Sequence, residues 1–249
     1  MPGALAGQRV LLTRSADAGE SLQNRLQQAG AQVLCRPTVA LIPLDTPLPA
    51  LAAAPDWLVF VSPFAAAVGW PRLPVSWQAA KVAAVGPGTA RALIEQGARV
   101  SVAPNRGGGA DDLLAQPAFA PEPEAVVVIV CGHGGRQRLQ QVLQSRRVAV
   151  VEARVYTREP AAAQLAIPED WQSQPLDFTV VSSAAGLEYL LGMAAPSALK
   201  WVYQSRLIAV SERIVQKATA AGFVDPVIAT GADDAAVLAA IFAHAGSVK

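Results

Sequence analysis

Two stretches, KVAAVGPGTARALIEQG (Lys81–Gly97) and RLIAVSERIVQKATAAG (Arg206–Gly222), decide the fold class. Each opens on a short apolar run, turns through small or polar residues, and continues at helical spacing to a closing glycine. A glycine just past the last turn suits the left-handed position that ends a helix. The opening runs are continuously apolar rather than alternating, as in strands of a parallel sheet covered on both faces. The two stretches align residue for residue, and both continue to an Ala-Asp-Asp, at Ala110-Asp111-Asp112 and Ala232-Asp233-Asp234.

Working outward, the duplication widens. Asp56–Ser62 aligns with Asp177–Ser182 apart from one missing residue, and Leu22–Val33 (LQNRLQQAGAQV) aligns with Leu139–Val150 (LQQVLQSRRVAV). With the pieces around Leu22 and Leu139 called A, those around Asp56 and Asp177 called B, and the quoted stretches called C, the chain order is A, B, C, A, B, C. Two partitions satisfy that order. One cuts the chain into halves near residue 124. The other joins the first A to the last B and C, with the middle B, C, A as an inserted domain. Leu34–Leu44 and Val150–Arg158 have extended character and would be a double linker in the second partition.

The same strand-turn-helix rhythm recurs along the chain. Strands are expected at Arg9–Thr13, Trp57–Ser62, Lys81–Val85, Val126–Val130, Phe178–Val181 and Leu207–Val210. Helices are expected at Glu20–Ala29, from Pro63 to Val68, at Thr89–Gln96, Arg136–Gln144 and 184–191, after Ser211-Glu212-Arg213 up to Ala221, and at Asp233–Ala243. Strands alternating with helices predict an α/β class with doubly wound parallel sheets.

Composition narrows the function classes. The 249 residues allow one to two domains. Hydrophobic residues are 52% and charged residues 16%, which is a core-forming and not a disordered composition. Net charge is +1, so no global field recruits nucleic acid or an acidic membrane. Mean hydropathy is +0.32, yet the longest strong apolar run, Ala125–Cys131, is far short of the roughly 20 residues of a spanning helix. Met1–Leu12 lacks the pattern of a signal peptide. Cys35 and Cys131 are too few for a disulfide scaffold, so a reduced cytoplasmic setting is expected. His133 and His244 are the only histidines, which rules out a histidine-rich metal site. His133 is expected to be a solvent-exposed loop residue. The loop Gly132-His133-Gly134-Gly135 has Gln137 where the third glycine of a dinucleotide fingerprint would sit, and a phosphate-loop lysine pattern is absent.

Several pieces together resemble the uroporphyrinogen-III synthase family over essentially the whole length. They are Val10-Leu11-Leu12-Thr13-Arg14, Asp56–Pro63, Ala84-Val85-Gly86-Pro87-Gly88-Thr89-Ala90, Gly132-His133-Gly134-Gly135-Arg136, Val155-Tyr156, Val180-Val181-Ser182-Ser183 and Val210-Ser211-Glu212-Arg213. The resemblance implies two flavodoxin-like doubly wound domains joined by a two-stranded antiparallel linker. One domain would comprise 1–35 with 159–249, the inserted domain 43–150, and the linker strands 36–42 and 151–158. It implies a lyase of haem and porphyrin biosynthesis, acting in an interdomain cleft. The substrate would be hydroxymethylbilane, a linear tetrapyrrole with eight carboxylates; water is lost, ring D is inverted and the macrocycle closes to uroporphyrinogen III. No cofactor and no metal are implied. A monomer is expected, with neither nucleic acid nor membrane as partner. The alternative is a non-catalytic two-domain binding module for a small anion or nucleotide.

A polyanionic substrate calls for anion receptors, and free N–H groups at strand-to-helix junctions supply them. Such junctions fall at 62–65, 86–89, 131–136, 182–184 and 211–214. The substrate-binding candidates are Thr13, Arg14, Ser62, Pro63, Phe64, Gly86, Gly88, Thr89, Gly132, Gly134, Gly135, Arg136, Ser182, Ser183, Ala184, Ser211, Glu212 and Arg213. The bland counterpart is that the serines are ordinary helix caps and Gly86-Pro87-Gly88 an ordinary turn. Tyr156 is the catalytic candidate, because by the resemblance its phenol faces the cleft and assists departure of the hydroxyl; its alternative is a packed ring. Three residues depart from the family pattern: Cys131 where an Arg is common, Ile214 where a Thr is common, and Arg147 in place of a turn glycine.

Overall fold

The computed structural model describes residues 3–14, 16–134 and 137–246. They form two compact units, one ending at Ala40 and resuming at Glu159, the other running Leu41–Arg158. The first unit begins β1 (Arg9–Leu12), α1 (Ala16–Gln28), β2 (Gln32–Cys35). β3 (Val39–Pro43) leads into the second unit. There follow β4 (Trp57–Phe60), α2 (Pro63–Gly69), two tight turns at Trp70–Arg72 and Val75–Ala79, β5 (Lys81–Ala84), α3 (Pro87–Glu95) and β6 (Val100–Val102). α4 (Ala110–Leu114), β7 (Val126–Gly132), α5 (Arg138–Ser145) and β8 (Ala149–Pro160) complete it. The chain then returns through α6 (Glu169–Gln172), β9 (Phe178–Val181), α7 (Ala184–Met193) and α8 (Pro196–Tyr203). It closes with β10 (Arg206–Ala209), α9 (Glu212–Ala220), β11 (Val227–Ile228) and α10 (Asp234–His244).

The first unit's sheet is ordered β11-β10-β9-β1-β2, and its neighbouring strands are parallel. The second unit's sheet is β3-β8-β7-β4-β5-β6, parallel from β8 through β6. β1, β4 and β9 are buried at every position, the signature of central strands with helices on both faces. Alternate residues serve opposite cores. In β4, Leu58 and Phe60 pack with Ala66, Val128 and Val130, whereas Trp57 and Val59 pack with Leu113, Phe119, Ile129 and Leu139. In the first unit, Leu11 joins Val181, Leu187 and Trp201, whereas Val10 and Leu12 join Leu22, Phe178 and Ile241.

Counted along its own strands, the first sheet has the order 2-1-3-4-5, the flavodoxin-like order. The second, counted from β4, reads 3-2-1-4-5 and becomes 2-1-3-4-5 only when the count starts at β7. The difference in chain order follows the B, C, A order of the second partition. The second sheet is the first one permuted, B-C-A against A-B-C.

Other boundaries also shift. α1 starts at Ala16, ahead of the expected Glu20, and α8 was not expected at all. The segment 151–158, expected as linker, lies within β8, which pairs with β7 from Ala149 to Tyr156. The closing glycines behave as read: Gly30, Gly97 and Gly222 have φ of 97°, 81° and 103°, the left-handed region that only glycine enters freely.

Candidate functional site

In open parallel sheets ligands meet the carboxyl ends of the strands, at the point where the strand order reverses. In the second unit that point lies between β4 and β7. Ser62 follows β4 and caps α2, its Oγ accepting from Ala65 N at 3.0 Å. Pro63 is exposed and Phe64 half-buried. The Phe64 ring meets the Tyr156 ring edge to face, centroids 5.2 Å apart.

Tyr156 is only 1% exposed. Its hydroxyl lies 3.2 Å from Ser62 Oγ and accepts from an Arg158 guanidinium nitrogen at 3.0 Å. A register shift places Tyr156 opposite Gly132, skipping Val155. That irregularity puts two successive residues, Val155 and Tyr156, into the same core, which unbroken alternation forbids. Gly132 is what makes room: a Cβ there would stand 2.5 Å from the Tyr156 ring. The Tyr156 ring is therefore packed within its own unit, with its hydroxyl held between Ser62 and Arg158.

The turn after β5 is equally tight. Gly86 precedes α3, and a Cβ on it would be 2.9 Å from Gly108 Cα. Gly88 is exposed; Thr89 is buried and offers its main chain alone. Gly134 has φ of 70° in an exposed turn beside His133, which is exposed as expected. Gly135 and Arg136 lie outside the described residues.

Beside these strand ends lies a cavity of about 260 Å³, lined by Val61, Val85, Ile129, Cys131, Leu139 and Arg158 among others. Burial pushes the Cys131 thiol up to about 11, with the negative charge of Glu152 adding to it. A thiol so held is neutral and a poor nucleophile. Among the described residues no cluster of three or more His, Cys, Asp or Glu side chains is placed to hold a metal.

In the first unit the corresponding ends are those of β1, β9 and β10. Thr13 is buried, its Oγ1 donating to Val180 O at 2.8 Å, so its hydroxyl is a structural tie between two strands. Arg14 has a side chain only 8% exposed, paired to Asp234 at 2.8 Å and donating to Ala232 O at 2.9 Å. Asp234 thus supplies Arg14 with a carboxylate partner from within the same unit. Ser183 caps α7, accepting from Gly186 N at 2.9 Å, while Ser182 stands one residue ahead of the cap. Ala184 is the first residue of α7. Ser211 occupies the cap position of α9 without a side-chain hydrogen bond, which leaves its hydroxyl for other partners. Glu212 and Arg213 are exposed on the first turn.

Within each unit the described candidates lie at or just beyond the carboxyl ends of the strands. Arg158, Asp234 and Glu152 were missed. A signal for Arg158 existed: two residues beyond Tyr156 on one strand, it shares that side chain's face.

A family model described as Uroporphyrinogen-III synthase HemD matches residues 20–239. A uroporphyrinogen-III synthase from Escherichia coli is 28% identical over 252 aligned residues, covering 93% of this chain and 99% of that protein. One from Synechococcus elongatus is 31% identical over 183 residues, 67% of this chain and 65% of that protein. Among solved structures, uroporphyrinogen-III synthetase from Helicobacter pylori superposes with a TM-score of 0.62 at 13% identity, covering 93% of this chain and 97% of that one. A mutant uroporphyrinogen III synthase from Thermus thermophilus gives 0.58 at 21%, covering 98% and 100%. At those identities the two structures speak to the α/β fold alone.

Proposed function

The chain belongs to the uroporphyrinogen-III synthase family, and from that membership we propose which of its residues carry the reaction. The family is one of cyclising lyases: hydroxymethylbilane loses water, ring D is inverted and uroporphyrinogen III forms. The observation that carries this assignment is the family match over residues 20–239, with an E. coli relative aligned over 99% of its length.

Departure of the hydroxyl leaves an electron-rich azafulvenium cation, so positioning and exclusion of water matter more than strong acid catalysis. The eight carboxylates are met by main-chain N–H groups in the loops after β5, β9 and β10: Gly86, Gly88 and Thr89; Ser182, Ser183 and Ala184; Ser211, Glu212 and Arg213. The dipoles of α3, α7 and α9 favour anions there. Arg213 adds an exposed cation. Arg14 serves a substrate carboxylate only by exchanging Asp234. Thr13 contributes shape; Gly132 and Gly134, with Gly135 and Arg136 by their position in the chain, contribute the glycine-rich turn. Ser62, Pro63 and Phe64 flank Tyr156, and the Tyr156–Ser62 pair assists the leaving hydroxyl, supported by their 3.2 Å contact.

We also infer that the two passages of the chain between units form an antiparallel strand pair. Supporting this, Leu44 N donates to Val155 O at 2.9 Å and Ala161 N to Thr38 O at 3.1 Å, so partner numbers fall as those of β3 rise.

The test is catalytic. Supplied with hydroxymethylbilane made enzymatically in the same vessel, the purified chain is expected to give the type III isomer faster than spontaneous closure gives type I. Type I alone, at the spontaneous rate, would leave a binding module.

A further inference from the structure

Tyr156 is held from three sides. Its ring fills the space that the absence of a Gly132 Cβ leaves, and Phe64 closes one edge. Its main-chain oxygen accepts from His133 N at 2.8 Å, tying β8 to the turn after β7. None of these contacts fixes the hydroxyl's rotation about its C–O bond, yet that rotation decides where the phenolic proton points. Arg158 does fix it. Two residues further along β8, its guanidinium reaches back over the Tyr156 ring, 5.2 Å from the centroid, and donates to the phenol oxygen at 3.0 Å.

We propose that Arg158 is a positioning residue for the Tyr156 hydroxyl, turning the phenolic proton toward Ser62 and the ligand side of the strand ends. The proposal deepens the assignment above and rests on it. An oxygen that accepts from a cation has its own proton left to give, and the available neighbour is Ser62 Oγ at 3.2 Å. Ser62 Oγ already accepts from Ala65 N, so its geometry is set by the cap. The sequence Arg158, Tyr156, Ser62 is thus a directed chain of hydrogen bonds, each link polarising the next. It runs from a permanently charged, half-buried group beside the phenol to a half-buried hydroxyl. Arg158 also borders the 260 Å³ cavity, which supplies the competing role: direct pairing with a substrate carboxylate. The two roles differ in what they do to kcat and KM.

The experiment is a double-mutant cycle on the intact chain with Arg158→Met, Arg158→Lys and Tyr156→Phe, reading kcat, KM and the type III to type I ratio, with thermal melts on each variant. If Arg158 acts through the phenol, Arg158→Met lowers kcat about 10-fold with KM within about 3-fold, and adds less than about 2-fold to Tyr156→Phe, because the group it orients is gone. Arg158→Lys recovers less than about half of the loss, since a point charge cannot reproduce the planar fork. A rise in KM at unchanged kcat, or losses that multiply in the double variant, would overturn the proposal in favour of direct substrate contact. Should Arg158→Met melt too low to assay, Arg158→Lys in both Tyr156 backgrounds carries the same decision. A wild-type chain that makes no type III isomer would fail the functional assignment itself, a separate result.

Discussion

Cys131 illustrates how a single position carries local physics that pattern alone does not show. At the end of β7 it departs from the arginine that the resemblance implies, and it lines the cavity, where burial holds its thiol neutral up to about 11 against a usual 9.0. Below pH 9.0 the folded and unfolded thiols are both protonated, and the shift has no effect. Between 9.0 and about 11 the unfolded thiol ionises while the folded one does not, so folding stability falls through that window. Cys131→Ala removes the fall: in urea titrations the variant gains on wild type by up to about 2 kcal/mol between pH 9 and 11. Parallel curves across that range would show that the thiol is not so held. Arg14 is the complementary case. Its sequence position at the end of β1 was legible, but its partner Asp234 lies 220 residues away, and no local rule joins them. Tyr156 was legible as a residue of interest with a packed ring as its alternative; the irregularity opposite Gly132 was not, because it is a property of pairing between two strands.

At the scale of elements, central strands were readable because double-sided burial writes a continuous apolar run, as in RVLL of β1 and WLVF of β4. β8 was legible as an extended segment but not as a strand of the second unit's sheet. Its sequence AVVEARVYTREP intersperses charges, since it lies between β7 and the edge strand β3 and leaves Glu152, Arg154 and Arg158 partly in solvent. The turn joining α5 to β8 shows a local conflict. Arg147 adopts φ of 61°, a left-handed conformation that costs a side-chain-bearing residue about 1 kcal/mol. Its ion pair with Glu124, at 3.2 Å between side chains that are 77% and 80% exposed, offsets little of that. Arg147→Gly is expected to raise stability by about 0.5–1 kcal/mol, read as a higher denaturation midpoint at unchanged slope. An equal or lower midpoint would mean that the turn is relaxed with arginine in place. The two Ala-Asp-Asp repeats diverge similarly: Asp234 holds a nearly buried arginine, while its counterpart Asp112 accepts from Gly108 N at 2.8 Å in an exposed turn.

Across the whole molecule, the duplication has one structural consequence. Each unit is assembled from the same three pieces, in the order A-B-C in one and B-C-A in the other, and both have the strand order 2-1-3-4-5 once counted from equivalent strands. Piece identity was legible from aligned residues. Assignment of pieces to units was not, because local spacing satisfies both partitions and the pairings that distinguish them, β1 with β9 and β4 with β7, join strands far apart in the chain. The equivalence also means that each unit offers a reversal point with glycine- or serine-led turns at its strand ends, between β1 and β9 in one and between β4 and β7 in the other. The most direct measurement is therefore the perturbation of backbone amide resonances on adding uroporphyrinogen III, the reaction's own product. Shifts are expected at the carboxyl ends of the strands, at 62–65 and 86–89 and at 182–184 and 211–214, with the amides at the opposite ends of the same strands unmoved. Perturbation at the turns preceding β1, β4 and β9, with those segments unmoved, would contradict anion binding at the strand ends.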